Sequence, residues 1–153
     1  MPPPVSDATP RVGRRCAAAL LVCGTRYLMQ LRDDRPDIWY PGHWGCFGGA
    51  VDEGESPEQA LSRELYEELE FRPGQRELLT QFDIDFGPLG MGKRYRAYYM
   101  VRMSKAERSA LVLHEGKALD AFSYERLVDG MRVAAYDLFA LHLHRMLLAR
   151  GKA

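Results

Sequence analysis

Neither sign of charge prevails in this chain: Lys and Arg number 21 and Asp and Glu number 21 among 153 residues. A balanced chain has no net field to draw in nucleic acid or an anionic membrane surface. A site for an anionic ligand must therefore be built locally, by a metal ion or a few placed arginines. Cysteine is scarce and odd in number, with Cys16, Cys23 and Cys46 and no Cys-x-x-Cys spacing. That argues against a disulfide framework or a zinc knuckle and fits a reducing, cytoplasmic setting; each thiol lies in an apolar stretch and is expected to pack as a small hydrophobe. No apolar run approaches the roughly 20 residues that a membrane span needs. The stretch Cys16–Cys23 behind Arg11, Arg14 and Arg15 starts like a signal peptide, but it is short and Gly24-Thr25-Arg26 follows where a cleavage site belongs, so a buried strand is expected. Repeats are absent, and low complexity is confined to residues 1–13, which hold four prolines and read as a flexible tail ahead of one domain over 14–153.

What is present is a globular composition, 46% hydrophobic and 27% charged. Cys16–Cys23 and Tyr27–Arg32 read as two strands around a Gly24-Thr25 turn, and Trp44–Val51 as a short extended segment reached through a polar loop. The clearest helix begins at Pro57. Ser56 is a good N-cap, Gln59 completes a capping box, and Leu61, Leu65 and Leu69 form a buried stripe. Leu78 to Phe86 and Tyr95 to Met103 alternate apolar with polar residues, as half-buried strands do, with a Gly-rich loop between them. Leu119–Phe122 is a further strand, and Tyr136 to about Arg150 a final helix. Strands and helices are mixed, so the class is α/β or α+β.

The helix after Pro57 carries Glu64, Glu67 and Glu68, spaced i, i+3, i+4 on one face. Carboxylates so close repel, and a hard cation such as Mg2+ or Mn2+ between them would turn that cost into binding. Read alone, the three favour a solvated acidic face, such as many surface helices have. Two neighbours favour chemistry: Gly48-Gly49 lets backbone approach closely, and Glu55 can pair with Arg63 across the loop–helix junction.

Residues 49–71, GAVDEGESPEQALSRELYEELEF, resemble the Nudix box: Gly, five residues, Glu, seven residues, Arg-Glu-apolar-x-Glu-Glu-x-Gly-apolar. Gly49, Glu55, Arg63, Glu64, Leu65, Glu67, Glu68 and Phe71 all fall on the pattern; a chance match is on the order of one in 10^5 or rarer. Glu70 stands where the family has Gly, which predicts either a strained helix end or an end shifted toward Pro73-Gly74. Phe47 stands where a proline often precedes the glycine pair. The resemblance implies a three-layer α/β/α sandwich with a mixed central sheet, a nucleotide-type small-molecule substrate and Mg2+ or Mn2+ as cofactor. It assigns metal binding to Gly49, Glu64, Glu67 and Glu68, and bracing to Glu55 and Arg63. Glu64, Glu68 or Glu115 is the candidate base. Relatives of this type are often homodimers.

On the substrate side the candidates are Arg32, Tyr40, Trp44, Phe47, Asp85, Arg94 and Arg96: arginines for phosphate or sugar, aromatics for stacking on a base, with core packing equally open for Trp44. His43 could reach the same pocket. The activity implied is hydrolysis of a pyrophosphate bond in a nucleoside diphosphate linked to X, with nucleotide sugars and canonical or oxidised nucleoside triphosphates as the leading classes. The alternative is a non-catalytic module that senses nucleotides. A remoter one is an isomerase of isoprenoid diphosphates, for which Cys46 would be the catalytic thiol.

Overall fold

The apolar run after Arg15 forms the spine of the molecule. In this computed structural model, which describes residues 15–90 and 92–153, it is strand β1 (Arg15–Cys23), and its last seven residues are all buried. The tail expected over 1–13 and Met91 of the Gly-rich loop lie outside the described residues. A strand apolar on both sides must be covered on both faces. Ala17, Ala19 and Leu21 enter one core cluster and Ala18, Leu20 and Val22 another.

Strand β1 pairs in parallel with β6 (Lys93–Arg102) along eight positions. On its other edge it pairs antiparallel with β2 (Arg26–Leu31) beside the Gly24-Thr25 turn and with β4 (Phe47–Ala50) farther back. β2 in turn holds β3 (Trp44–Gly45) and β7 (Ala118–Phe122), and β5 (Glu77–Asp85) lies outside β6. The sheet runs β3-β2-β1-β6-β5, with β4 on β1 and β7 on β2. The segment 44–50 thus bridges from β2 to β1 where those two strands part, and the glycine pair rides on it.

Helix α1 (Pro57–Leu69) seals one face with Ala60, Leu61, Leu65 and Leu69. Each leucine so buried contributes about 1.5–3 kcal/mol. The capping box is formed: Ser56 accepts from the Gln59 N–H, and the Gln59 side chain accepts from the Ser56 N–H. A short helix α2 (Lys105–Ser109) follows β6, and α3 (Tyr124–Val128) follows β7. Helix α4 (Ala135–Ala149) covers the second face with Ala140 and Leu141. The result is the expected three-layer α/β/α arrangement with a mixed sheet. Among the described residues no helix is long and apolar enough to cross a membrane.

α1 takes the first of the two helix ends expected: it stops at Leu69, and Glu70 adopts the left-handed conformation itself, φ 54° and ψ 31°. A side chain held there costs on the order of 1 kcal/mol relative to Gly. α2, α3 and a 3-10 turn at Gly87–Leu89 were not foreseen, because five-residue helices are too short to show a period. Two aromatic candidates belong to the core. Phe47 is 0% exposed on the α1 side, and Trp44 packs edge-on against Phe122 on the α4 side, so neither is placed to stack on a base.

Candidate active site

Glycine 48 and glycine 49 make the site geometrically possible. A Cβ at Gly48 (φ +143°) would stand 2.1 Å from the Ala17 carbonyl oxygen, so only glycine lets β4 lie against β1 here. A Cβ at Gly49 would stand 2.4 Å from the Glu64 carboxyl group. The Glu64 carboxylate occupies the space that any other residue at 49 would fill.

Helix α1 then turns its acids toward this strand. Glu68 is 2% exposed, and its Oε2 accepts the Gly48 N–H at 3.1 Å. Burial, with Glu64 and Glu115 adding negative charge, pushes its carboxyl up to about 9. Glu64 is raised as well, chiefly by burial, with Arg63 pulling the other way. Arg63 is the tie between loop and helix. Its Nε and Nη2 donate to the two oxygens of Glu55 at 2.8 and 3.0 Å, Nη1 donates to Glu64 at 2.8 Å, and Nη2 also reaches the Ala50 carbonyl at 3.0 Å. The bidentate pair with Arg63 holds the Glu55 carboxyl below its usual range.

Glu115 completes the acidic wall from the loop before β7, beside both Glu64 and Glu68. Glu67 does not join it: its side chain is 56% exposed and leans onto Arg63 at 3.3 Å. Among the described residues no three His, Cys, Asp or Glu side chains close around one point as a finished metal cage. The donor chemistry nevertheless fits a divalent ion. Glu64, the buried Glu68 and Glu115 crowd together, Arg63 reaches only Glu64 of the three, and such a crowd of carboxyls is relieved by a hard cation with oxygen ligands.

The acids form one wall of a cleft of about 440 Å³, a size suited to a small ligand. The other wall is cationic and aromatic. Arg96 lies over the Tyr136 ring at 3.8 Å, with its Nε donating to the Tyr98 hydroxyl at 2.8 Å and Nη2 to Asp137 at 3.4 Å. Asp137, 3% exposed, also accepts from the Tyr98 hydroxyl at 2.6 Å and the Cys46 N–H at 3.0 Å. Arg94 stacks over Trp39 at 4.3 Å, and Arg32 donates to the Trp39 carbonyl at 2.7 Å.

Of the substrate-side candidates, Arg32, Arg94 and Arg96 line this cleft. Asp85 does not: it pairs with Lys93 across the strands and caps the turn by accepting the Gly87 N–H at 2.8 Å. Tyr40, at φ +50°, stands behind the wall with its ring edge-on to Tyr136 and to His43. Trp39, Tyr136 and Asp137 were missed. Asp137 left one sign in the sequence, a lone acid among the apolar residues that open α4. Cys46 borders the cleft, but burial pushes its thiol well up, which is the reverse of what a nucleophilic thiolate requires.

Residues 13–141 match the family described as NUDIX domain. The chain is 54% identical to RNA pyrophosphohydrolase of Shewanella sediminis over 37 residues, 24% of this chain and 22% of that protein. It is 43% identical to nucleoside triphosphatase NudI of Escherichia coli O139:H28 over 58 residues, 38% of this chain and 37% of that one. It thus aligns with well under half the length of these curated relatives. The crystal structure of a MutT NUDIX hydrolase from Burkholderia pseudomallei superposes with a TM-score of 0.71 at 27% identity, covering 85% of this chain and 96% of that one. The chain belongs to the Nudix family.

Proposed function

We propose that this protein hydrolyses a pyrophosphate bond in a nucleotide-type substrate, with Mg2+ or Mn2+ as cofactor. The observation that carries the reading is one cleft with two opposed walls: Glu64, the buried Glu68 and Glu115 on one side, and Arg32, Arg94 and Arg96 with the Trp39 and Tyr136 rings on the other. A nucleoside diphosphate derivative presents the matching halves, an anionic diphosphate and a flat base. The names of the two curated relatives, a pyrophosphohydrolase and a nucleoside triphosphatase, support the same class.

Glu64, Glu68 and Glu115 would hold the ion, which when bound offsets diphosphate charge and lowers the pKa of a water. The rest falls to the chain. Arg63 keeps Glu64 oriented against the glycine pair, and the Gly48 N–H fixes one Glu68 oxygen. Arg96, pinned by Tyr98, Asp137 and Tyr136, offers a donor that needs no reorganisation when substrate arrives. Glu115, on a loop rather than the helix, is the acid best placed to take a proton from the attacking water. Within this class, nucleotide sugars and canonical or oxidised nucleoside triphosphates remain the leading substrates.

The test is a panel of nucleoside triphosphates, nucleotide sugars and dinucleotides in Mg2+ and in Mn2+, read by phosphate release and mass spectrometry, beside Glu64→Gln. Turnover of at least one class and its loss in Glu64→Gln by roughly 100-fold or more are expected. No turnover of any class, or full turnover in the variant, overturns the proposal. Tight binding without product would instead favour a nucleotide-sensing module.

A further inference from the structure

The left-handed Glu70 is an anomaly that the reaction chemistry does not use. Glycine at that position would end α1 without strain, yet the chain places a side chain there, at φ 54°. Its carboxylate meets the Nε2 of His114 at 2.8 Å. Both side chains are about half exposed, 51% for Glu70 and 47% for His114. A pair so exposed returns little stability, no more than the strained backbone takes away. Stability alone therefore does not account for it.

The position of His114 does. The loop between α2 and β7 is laid on the C-terminal end of α1: the Val112 N–H donates to the Leu69 carbonyl at 3.1 Å and the His114 N–H to the Glu68 carbonyl at 2.8 Å. Farther along, the Lys117 N–H donates to the Leu31 carbonyl at 2.8 Å. Glu115 sits between these anchors and turns into the cleft beside Glu68 and Glu64. The anchors on its N-terminal side are two backbone bonds to the last turn of a helix, where ends fray. The Glu70–His114 contact is the side-chain bond that clamps that junction, one residue before Glu115.

We propose that Glu70 and His114 form a latch that positions Glu115, so that this chain exchanges an unstrained helix end for a fixed third acid in its catalytic cleft. The latch residues are positioning residues; neither lines the cleft. From the left-handed conformation at residue 70 the side chain reaches the loop, where its carboxylate meets His114.

The inference rests on the reading of Glu115 given above, and its test separates the two. Wild type, Glu70→Gly, His114→Ala, His114→Gln and Glu115→Gln are compared for kcat, KM, Tm and affinity for Mn2+ alone, the last by magnetic resonance of the free ion. Glu70→Gly should keep its Tm or gain about 2–4 °C from relief of strain, while losing about tenfold in kcat with KM within twofold. His114→Ala should lose kcat similarly. His114→Gln, whose amide can donate from the same place, should restore most of it. Both lesions should weaken Mn2+ binding in the direction shown by Glu115→Gln. A role in stability alone would instead lower Tm in Glu70→Gly and leave kcat unchanged. Wild-type kcat and Mn2+ affinity in Glu70→Gly and His114→Ala, beside a crippled Glu115→Gln, overturn the latch and leave the Glu115 reading standing. Full kcat and Mn2+ affinity in Glu115→Gln overturn both. If no substrate is turned over by the wild type, the Mn2+ measurements decide alone.

Discussion

Glu68→Gln should stabilise the metal-free protein while removing much of its response to Mg2+. In the folded chain the Glu68 carboxyl is pushed up to about 9 from an ordinary 4.5. A carboxyl raised on folding contributes its stability below its unfolded pKa and loses it as pH climbs toward the folded one. Metal-free protein should therefore weaken steadily between about pH 5 and pH 9. At about 1.36 kcal/mol per pH unit, the loss by pH 8 has an upper bound of about 4–5 kcal/mol. Glutamine cannot ionise, and its oxygen can still accept the Gly48 N–H, so the variant escapes most of that loss. Bound Mg2+ works in the opposite sense for the wild type, adding about 2.7 kcal/mol at 100 times its dissociation constant. For a domain of this size each kcal/mol moves Tm by about 2–4 °C. The assay is thermal unfolding of both proteins in EDTA and in excess MgCl2 across pH 5 to 9. The variant should melt higher in EDTA at pH 8, match the wild type at pH 5, and shift less with Mg2+. A wild-type Tm in EDTA that is flat across this range, or a variant that keeps the full Mg2+ shift, would refute the account of Glu68 as a buried acid awaiting a cation.

Two further outcomes follow from the cleft. Gly49→Ala places a methyl 2.4 Å from the Glu64 carboxyl group, so kcat should fall about 100-fold while circular dichroism shows an intact fold; activity within threefold of wild type would show that the acid is free to move. Arg96→Met keeps an apolar stem over Tyr136 but removes the charge, and KM should rise about tenfold or more with a smaller change in kcat, read from steady-state kinetics on the best substrate of the panel.

The local features were legible in the sequence because they depend on near neighbours. Ser56, Pro57 and Gln59 announce the start of α1, and the leucine period announces its buried face. The match of Gly49, Glu55, Arg63, Glu64, Glu67 and Glu68 to the Nudix box implied that acids, brace and glycine share one junction. Likewise the unbroken apolar run of β1 told of a strand covered on both sides. The sequence pattern could not rank acids of equal spacing. Glu67 and Glu68 are adjacent, yet one leans outward onto Arg63 and the other is sealed under Gly48, a division made by where β4 meets the helix.

Tertiary structure alone decided the second wall and the latch. Arg96, Tyr98, Tyr136 and Asp137 come from β6 and α4, some 40 residues apart, and meet only because the parallel β1–β6 pair carries β6 beneath α4. Phe47 looked like a stacking aromatic, and Trp44 was open between stacking and core packing, until the sheet turned them into its two cores. Glu70 read as a fault in a family motif. Its backbone angle and its contact with a histidine 44 positions away give it a different meaning. Short-range patterns determine which elements form and which residue types lie at the junction. Which of those residues face one another is settled by packing two layers of helix onto a twisted sheet, a non-local event that no local pattern encodes.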